Sequence, residues 1–183
     1  MAEARRAREL DPLSLTINGG LGRALLTARR PGEAAAQLRG VLAMDSTFVL
    51  VNEWLGTVYL SQGRAAEAVS LFERAIDPAV RHSIPTALLG YAMAKAGRRR
   101  ESEALLRELL ERQSKGYVSP TGIALLTAGL GDTVQAFAWL RRAAEIHDPF
   151  LINNFVNEPM LERFQRDPRG VAILRVMRLP GTR

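Results

Sequence analysis

The side chains best suited to move a proton near neutral pH are His82 and His147, and they stand 65 residues apart. His147 is followed by Asp148, which makes half of a base–orienter pair. A hydrolytic site also needs a nucleophile that converges on that pair. The chain has no cysteine, and Ser83 and Ser119 have no histidine at a useful spacing. Each of these serines stands just before a proline-containing helix start and reads as a cap. Gly19-Gly20-Leu21-Gly22 is glycine-rich, but it lacks G-x-G-x-x-G spacing, a preceding strand and a P-loop Lys-Ser/Thr. It reads instead as a small-residue face where helices pack closely. No catalytic residue and no cofactor is assigned, and without cysteine a thiolate zinc site is excluded. No metal site is assigned either.

The 183 residues carry a formal charge of +6. Lys95 and Lys115 are the only lysines, so nearly all the cations are arginines. Arginine suits planar pairing with carboxylate or phosphate. No apolar run approaches the ~20 residues that span a bilayer. The opening MAEARRAREL is charged, with no apolar core of a secretory signal, which points to a cytoplasmic protein.

These residues are positioned by a repeat. In the stretch from Val49 to Ala75, two helical patterns meet at Gly63. Counting from Gly56, an aromatic (Tyr59) stands at +3, Gly63 at +7, Ala68 at +12, Phe72 at +16 and Ala75 at +19. Steps of 34 take Gly56 to Gly22 and Gly90, and Gly63 to Gly97 and Gly131. The same step links Ala34, Ala68 and Ala136; it links Leu38, Phe72, Leu106 and Leu140; and it links Val41, Ala75, Leu109 and Ala143. The small residues let helix backbones approach, and the large ones fill the seam.

The pattern resembles the tetratricopeptide repeat, a helix–turn–helix unit of about 34 residues. The resemblance implies an all-α, right-handed α-solenoid of such repeats with a C-terminal capping segment. Repeat units bury their apolar faces against neighbours, so residues 1–183 are expected to form one domain. Residues 2–12 read as the end of a truncated repeat, which suggests a fragment of a longer protein. Repeats follow at 13–46, 47–80, 81–114 and 115–148, and the cap at 149–183. Helices are expected at 14–28 and 31–43 in the first full repeat. Ser46 or Thr47 is expected to cap the next repeat, Ser83 the third and Ser119 the fourth, where Asp132 and Gln135 resemble a capping box. Arg29 replaces the turn glycine of the first repeat. In the tail, Asp148-Pro149, Glu158-Pro159 and Asp167-Pro168 read as helix starts. Helices near 158–165 and 168–178 should pack Phe155, Leu161, Phe164, Ile173 and Leu174 over the last repeat.

Tyr117-Val118-Ser119-Pro120, Ala128 to Asp132, Ala136 to Leu140, Arg166 to Arg169 and Leu174 to Met177 are similar to a more specific arrangement. It occurs in the C-terminal repeat regions of bacterial multidomain signalling proteins. Their N-terminal parts are winged-helix regulators, class III adenylate cyclases or Ser/Thr kinases. The resemblance spans residues 12–179, and departs from the pattern at Gly170 and at Thr121-Gly122. It implies an effector domain upstream.

In tetratricopeptide proteins the first helix of each hairpin lines a concave groove. Carried over by register, the groove positions include Thr16, Arg23, Leu50, Glu53, Thr57, Ile84, Ala87, Tyr91, Val118, Thr121 and Leu125. An apolar lining with Arg23, Glu53 and Tyr91 as anchors would suit a protein or peptide partner, as an amphipathic helix or extended segment. The alternative is that several of these positions pack inside the superhelix. Arg23, Thr57 and Tyr91 stand where a chaperone-binding carboxylate clamp would place its first Asn, so that clamp is not expected. Arg29, Arg30, Arg64, Arg98, Arg99 and Arg100 all fall at hairpin turns and would form a basic edge. That edge could meet an acidic partner or, as a second reading, nucleic acid; the aromatics that single strands stack on are absent from it. The alternative there is a solvated edge. A non-catalytic interaction or scaffold module is the function expected, and nucleic acid the less favoured partner.

Overall fold

A computed structural model describes residues 2–76, 82–152 and 159–177, with the side chains of Ala4, Arg5 and Pro159 left undescribed. The described residues are helical, with no strand among them, and they divide into two compact units, Met1–Val80 and Arg81–Arg183. The first unit holds α1 (Ala2–Leu10) and two hairpins, α2 (Leu15–Thr27) with α3 (Pro31–Met44) and α4 (Val49–Ser61) with α5 (Ala65–Ala75). The second holds α6 (Ser83–Lys95) with α7 (Arg99–Lys115) and α8 (Pro120–Leu130) with α9 (Thr133–Glu145). Its tail adds α10 (Pro149–Leu151), a single 3-10 turn (Pro159–Leu161), α11 (Glu162–Arg166) and α12 (Pro168–Val176).

The repeat register becomes packing. A Cβ added at Gly22 would lie 2.5 Å from Leu38, and one at Gly56 would lie 2.8 Å from the Phe72 ring. In both hairpins the first helix approaches so closely that only hydrogen fits under the large residue sixteen positions on. Ala34, Ala68, Ser102 and Ala136 are all fully buried, as are Leu38, Phe72 and Leu140. The third repeat differs. Leu106 is only partly buried, and Gly90 instead receives Leu126 from α8 at 2.6 Å and Leu105 at 3.6 Å. Its first helix is closed from above by the next repeat's first helix. A Cβ at Gly129 would fall 2.8 Å from Tyr91 Cα, and one at Gly122 3.2 Å from the Ser83 carbonyl. The departure at Thr121-Gly122 is therefore a condition for α8 to lie against α6. Of the glycine run in α2, Gly19 sits beneath Val51 and Trp54, Gly22 beneath Leu38, and Gly20 meets nothing within 4 Å.

The hairpin turns share one backbone state. Gly63, Gly97 and Gly131 have φ of +76°, +82° and +88°. Arg29 adopts the same left-handed conformation at +60°, a strained choice for a residue with a Cβ. Ser14, Ser119 and Asp132 cap α2, α8 and α9 through Ile17, Gly122 and Gln135 N–H groups. Two expected caps are corrected. Phe48 holds the N-cap position of α4, because Asp45 Oδ1 takes both the Thr47 amide (2.8 Å) and hydroxyl (2.7 Å). Asn52 then ties the entry down by donating to the Ser46 and Phe48 carbonyls, as Asn18 does to Pro12 and Ser14. Ser83 is the first residue of α6 rather than its cap, and its hydroxyl accepts from the Ser119 amide.

The tail packs on α9. Leu161, Phe164 and Ile173 are buried, Leu174 is half-buried, and Phe155 lies outside the described residues. Phe164 stacks at a tilt on Phe137 with centroids 5.1 Å apart, and the Arg169 guanidinium lies 4.0 Å from the Phe137 ring centre. Gly170 is required here, since a Cβ would stand 1.8 Å from the Phe164 carbonyl oxygen. Asp148 and Asp167 cap α10 and α12 as their Asp-Pro pairs imply.

Asp148 does more than cap. One oxygen accepts from the Ser119 hydroxyl (2.6 Å), the Thr121 amide (3.0 Å) and the Thr121 hydroxyl (2.8 Å). The other accepts from the Tyr117 hydroxyl and the Phe150 amide. Burial alone would raise its pKa, but these donors outweigh it and hold the carboxyl below its ordinary value.

Gly56→Ala should cost about 1–3 kcal/mol, because the Phe72 ring must move. Gly20→Ala in open space should gain up to about 1 kcal/mol from helix propensity. Thermal denaturation of the two variants should therefore shift in opposite directions; a shift of the same sign would contradict the packing described. Asp148→Asn should lower stability by about 1–3 kcal/mol at neutral pH. The native carboxyl titrates below its unfolded value of 3.8, so its contribution is complete above that value and lost as pH falls through the lowered native one. The gap in melting temperature between wild type and Asp148→Asn should accordingly be widest at neutral pH and narrow in acid.

Candidate functional site

The expected groove residues fare differently in the two units. In the second unit Ile84, Ala87, Tyr91, Val118, Thr121 and Leu125 are all buried. Ala87 and Ile84 lie under Gly122, Thr121 is bonded to Asp148, and Val118 belongs to the same entry turn. In the first unit Thr57 is buried, its hydroxyl bonded to the Glu53 carbonyl at 3.1 Å. Thr16 and Leu50 are exposed, and Arg23 and Glu53 are partly so.

Of these, Arg23 meets a residue absent from the expected set, Trp54, which shares α4 with Glu53 and Leu50. The Arg23 guanidinium sits 5.8 Å from the Trp54 ring centre. Trp54 lies over Gly19, which leaves room for the indole between α2 and α4. Glu53 precedes it, and Leu50, 48 % exposed, stands one turn earlier on α4. Burial raises the Glu53 pKa, and the Arg23 charge only partly offsets it. Glu53 makes no ion pair within 4.0 Å among the described residues, although the Arg23 charge reaches it. Trp54 was legible as a neighbour of Glu53, but its position over Gly19 depends on how α2 and α4 cross.

The turn arginines are mostly engaged. Arg30, Arg64 and Arg98 hold the N-cap positions of α3, α5 and α7, and each forks onto the glutamate three residues on. The pairs are Arg30–Glu33, Arg64–Glu67 and Arg98–Glu101, with closest approaches of 2.5 Å. Glu67 and Glu101 are held below their ordinary pKa by hydrogen bonds from these arginines. The same register carries Asp132 and Gln135 in the fourth repeat. Arg99 pairs with Glu103 at 2.8 Å and donates to the Leu130 carbonyl. Arg29 and Arg100 are exposed. Exposed pairs of this kind add little stability, but they cancel much of the charge of the edge.

His147 is exposed and lines a cavity of about 490 Å³ with Asp148, Leu151 and Met177. Asp148 directs its oxygens to Tyr117, Ser119, Thr121 and Phe150, so it does not orient the imidazole. No group of three potential metal ligands occurs among the described residues. No helix among them is long and apolar enough to cross a membrane.

With this geometry in hand, comparison with protein families gives a match to the tetratricopeptide repeat over residues 2–47 and 20–81. The chain is a tetratricopeptide repeat protein. The match covers the first unit, and the register of small and large residues carries the repeat into the second. Tetratricopeptide repeats generally mediate protein–protein interaction, and proteins built from them are typically non-catalytic scaffolds. No curated protein matches the chain.

Glu53→Gln tests the site's electrostatics. A raised carboxyl pKa means that folding favours the neutral form, a contribution complete below the ordinary 4.5 and lost as pH rises through the native value. The permanently neutral Gln should therefore melt above wild type at pH 7, and the two should converge in acid. A lower melting temperature for Glu53→Gln at pH 7 would show that Arg23 stabilises the charge after all.

Proposed function

We propose that this tetratricopeptide repeat protein is a non-catalytic module that binds a peptide or helix, with the Arg23–Glu53–Trp54–Leu50 face of the first unit as its contact surface. One observation carries the reading. An exposed leucine, an indole and two opposite charges without a close ion pair among the described residues lie together on α2 and α4, while Arg30 and Arg64 at the unit's turns are paired. Apolar anchors with a few oriented polar groups suit recognition of a polypeptide. The resemblance in residues 117–140 and 166–177 supports a place in the cytoplasm as the C-terminal regulatory or sensory arm of a larger bacterial signalling protein. An effector domain upstream would then be a further, intramolecular partner. The second reading, nucleic acid on the turn arginines, is less favoured because glutamates occupy Arg30, Arg64, Arg98 and Arg99.

A displayed library of random peptides selected on the intact chain tests the reading. Selected peptides should bind at least tenfold more weakly to Leu50→Arg and to Arg23→Glu, both at exposed or partly exposed positions that leave the fold intact. Equal affinity for wild type and both variants would place the binding surface elsewhere.

A further inference from the structure

Seven cations of the second unit are paired. Arg98, Arg99, Arg112, Lys115, Arg142, Arg166 and Arg169 each have a carboxylate within 4.0 Å. Arg100, Arg107, Arg141, Arg175, Lys95 and Arg163 have none among the described residues, and of these the fold brings Lys95 and Arg163 within electrostatic reach of one another. Sequence explains why Lys95 is left over. Its helical neighbours at three and four positions are Tyr91, Ala92, Arg98 and Arg99, none acidic. Its ammonium lies 5.2 Å from the Tyr91 ring centre. Tyr91 packs against the Gly129 backbone, and the adjoining Ala128 carbonyl faces the Arg163 guanidinium at 3.5 Å. Asp167 lines a shallow cavity with Arg163 but is bonded to Arg169. Two cations from segments 68 residues apart therefore lie near one tyrosine, with the Arg163 guanidinium also 4.8 Å from the Phe164 ring centre.

Like charges held together without a counter-charge cost the fold free energy, and a bound anion relieves that cost. Consistently, burial and the Arg163 charge lower the Lys95 pKa, and burial raises that of Tyr91 against the pull of Arg163. The Tyr91 hydroxyl makes no hydrogen bond among the described residues, so a donor is available beside the cations. We propose that Lys95, Arg163 and Tyr91 form a seat on the second unit for the carboxylate of an acidic side chain of a polypeptide partner. The inference rests on the peptide-binding reading above and adds the charge of the partner. A protein carboxylate fits better than a nucleic-acid backbone, because two cations among paired arginines and exposed glutamates offer no continuous path for a polyanion.

Because Lys95 and Lys115 are the only lysines, lysine labelled with carbon-13 gives two side-chain signals. Titration with sodium glutarate should shift the Lys95 signal along a saturating curve at millimolar concentrations, while Lys115, already paired with Glu111, shows only the linear drift of ionic strength. Arg163→Gln, at an exposed position, should weaken the Lys95 response about fivefold or more. A linear Lys95 response, or one unchanged in Arg163→Gln, would overturn the seat. So would a response to inorganic phosphate much tighter than to glutarate, which would make the site one for phosphate. The probe is not a peptide, so the result is independent of whether the Leu50 face binds one. Peptides selected on the intact chain should in turn carry an excess of Asp and Glu that disappears when Lys95→Glu and Arg163→Glu are combined. Peptides without that excess would leave the groove reading standing and remove this one.

Discussion

A helix that carries only hydrogen at one position lets a large side chain from its partner helix rest on bare backbone. At Gly56 the Phe72 ring comes so close that a methyl group would stand 2.8 Å from it, and at Gly22 the Leu38 side chain is closer still. Everything else in the two hairpins of the first unit follows from that approach. It brings Ala34 and Ala68 to zero exposure, and it fixes where the hairpin must turn. Close packing of this kind tolerates little change of volume in either direction, because the interior has no slack to absorb it. The turn is then forced into a left-handed residue, and glycine supplies it at three of four places. Arg29 supplies it at the fourth at a cost in backbone strain, in a turn closed by the Arg30 amide on the Leu25 carbonyl at 3.0 Å.

The third and fourth repeats show how the same rule bends. Leu106 holds the position of Phe72 by count, yet Leu126 fills the space over Gly90. α7 is longer than the other second helices, and α8 lies close along α6. Gly122 and Gly129 make that possible, and Asp148 locks it by gathering the donors at the start of α8. A carboxylate that accepts five hydrogen bonds is fully satisfied and becomes structural. For that reason the Asp148–His147 sequence, chemically suggestive as a dyad, has no carboxylate left for the histidine.

Periodicity made the helices, their order and most of the core legible, because identical packing demands recur at a fixed spacing. Ser119, Asp132, Asp148 and Asp167 were legible as caps because a short acceptor before a helix start has few other uses. Ser83 and Thr47 were not, since Asp45 and the Ser119 amide compete for their groups, and that competition is set by which segments meet in space. The surface was harder to read. Register places Ile84, Ala87, Thr121 and Leu125 beside Leu50 and Arg23 as equivalent lining, but the glycines of α8 bring a second helix down over them. Trp54, Lys95 and Arg163 gave no signal of their own. Their significance lies in contacts between helices, which no single stretch of sequence records.

The distribution of charge ties these observations together. Arginines at the N-caps of α3, α5 and α7 each find a glutamate in the first turn, where an acid also favours the helix dipole. The pairing recurs with the repeat, so it belongs to the hairpin turn as the glycine does, and its net field is small. At the hairpin turns the charges are neutralised locally, which leaves recognition to charges elsewhere on the surface. Arg23 lies against the Trp54 indole beside Glu53, and Lys95 and Arg163 lie near Tyr91 without a carboxylate within 4.0 Å of either among the described residues. Both exceptions involve an aromatic ring on or beside a first helix of a hairpin, with a glycine of a neighbouring first helix against it: Gly19 for Trp54 and Gly129 for Tyr91. The packing device that stacks the repeats is thus the one that presents their unpaired charges.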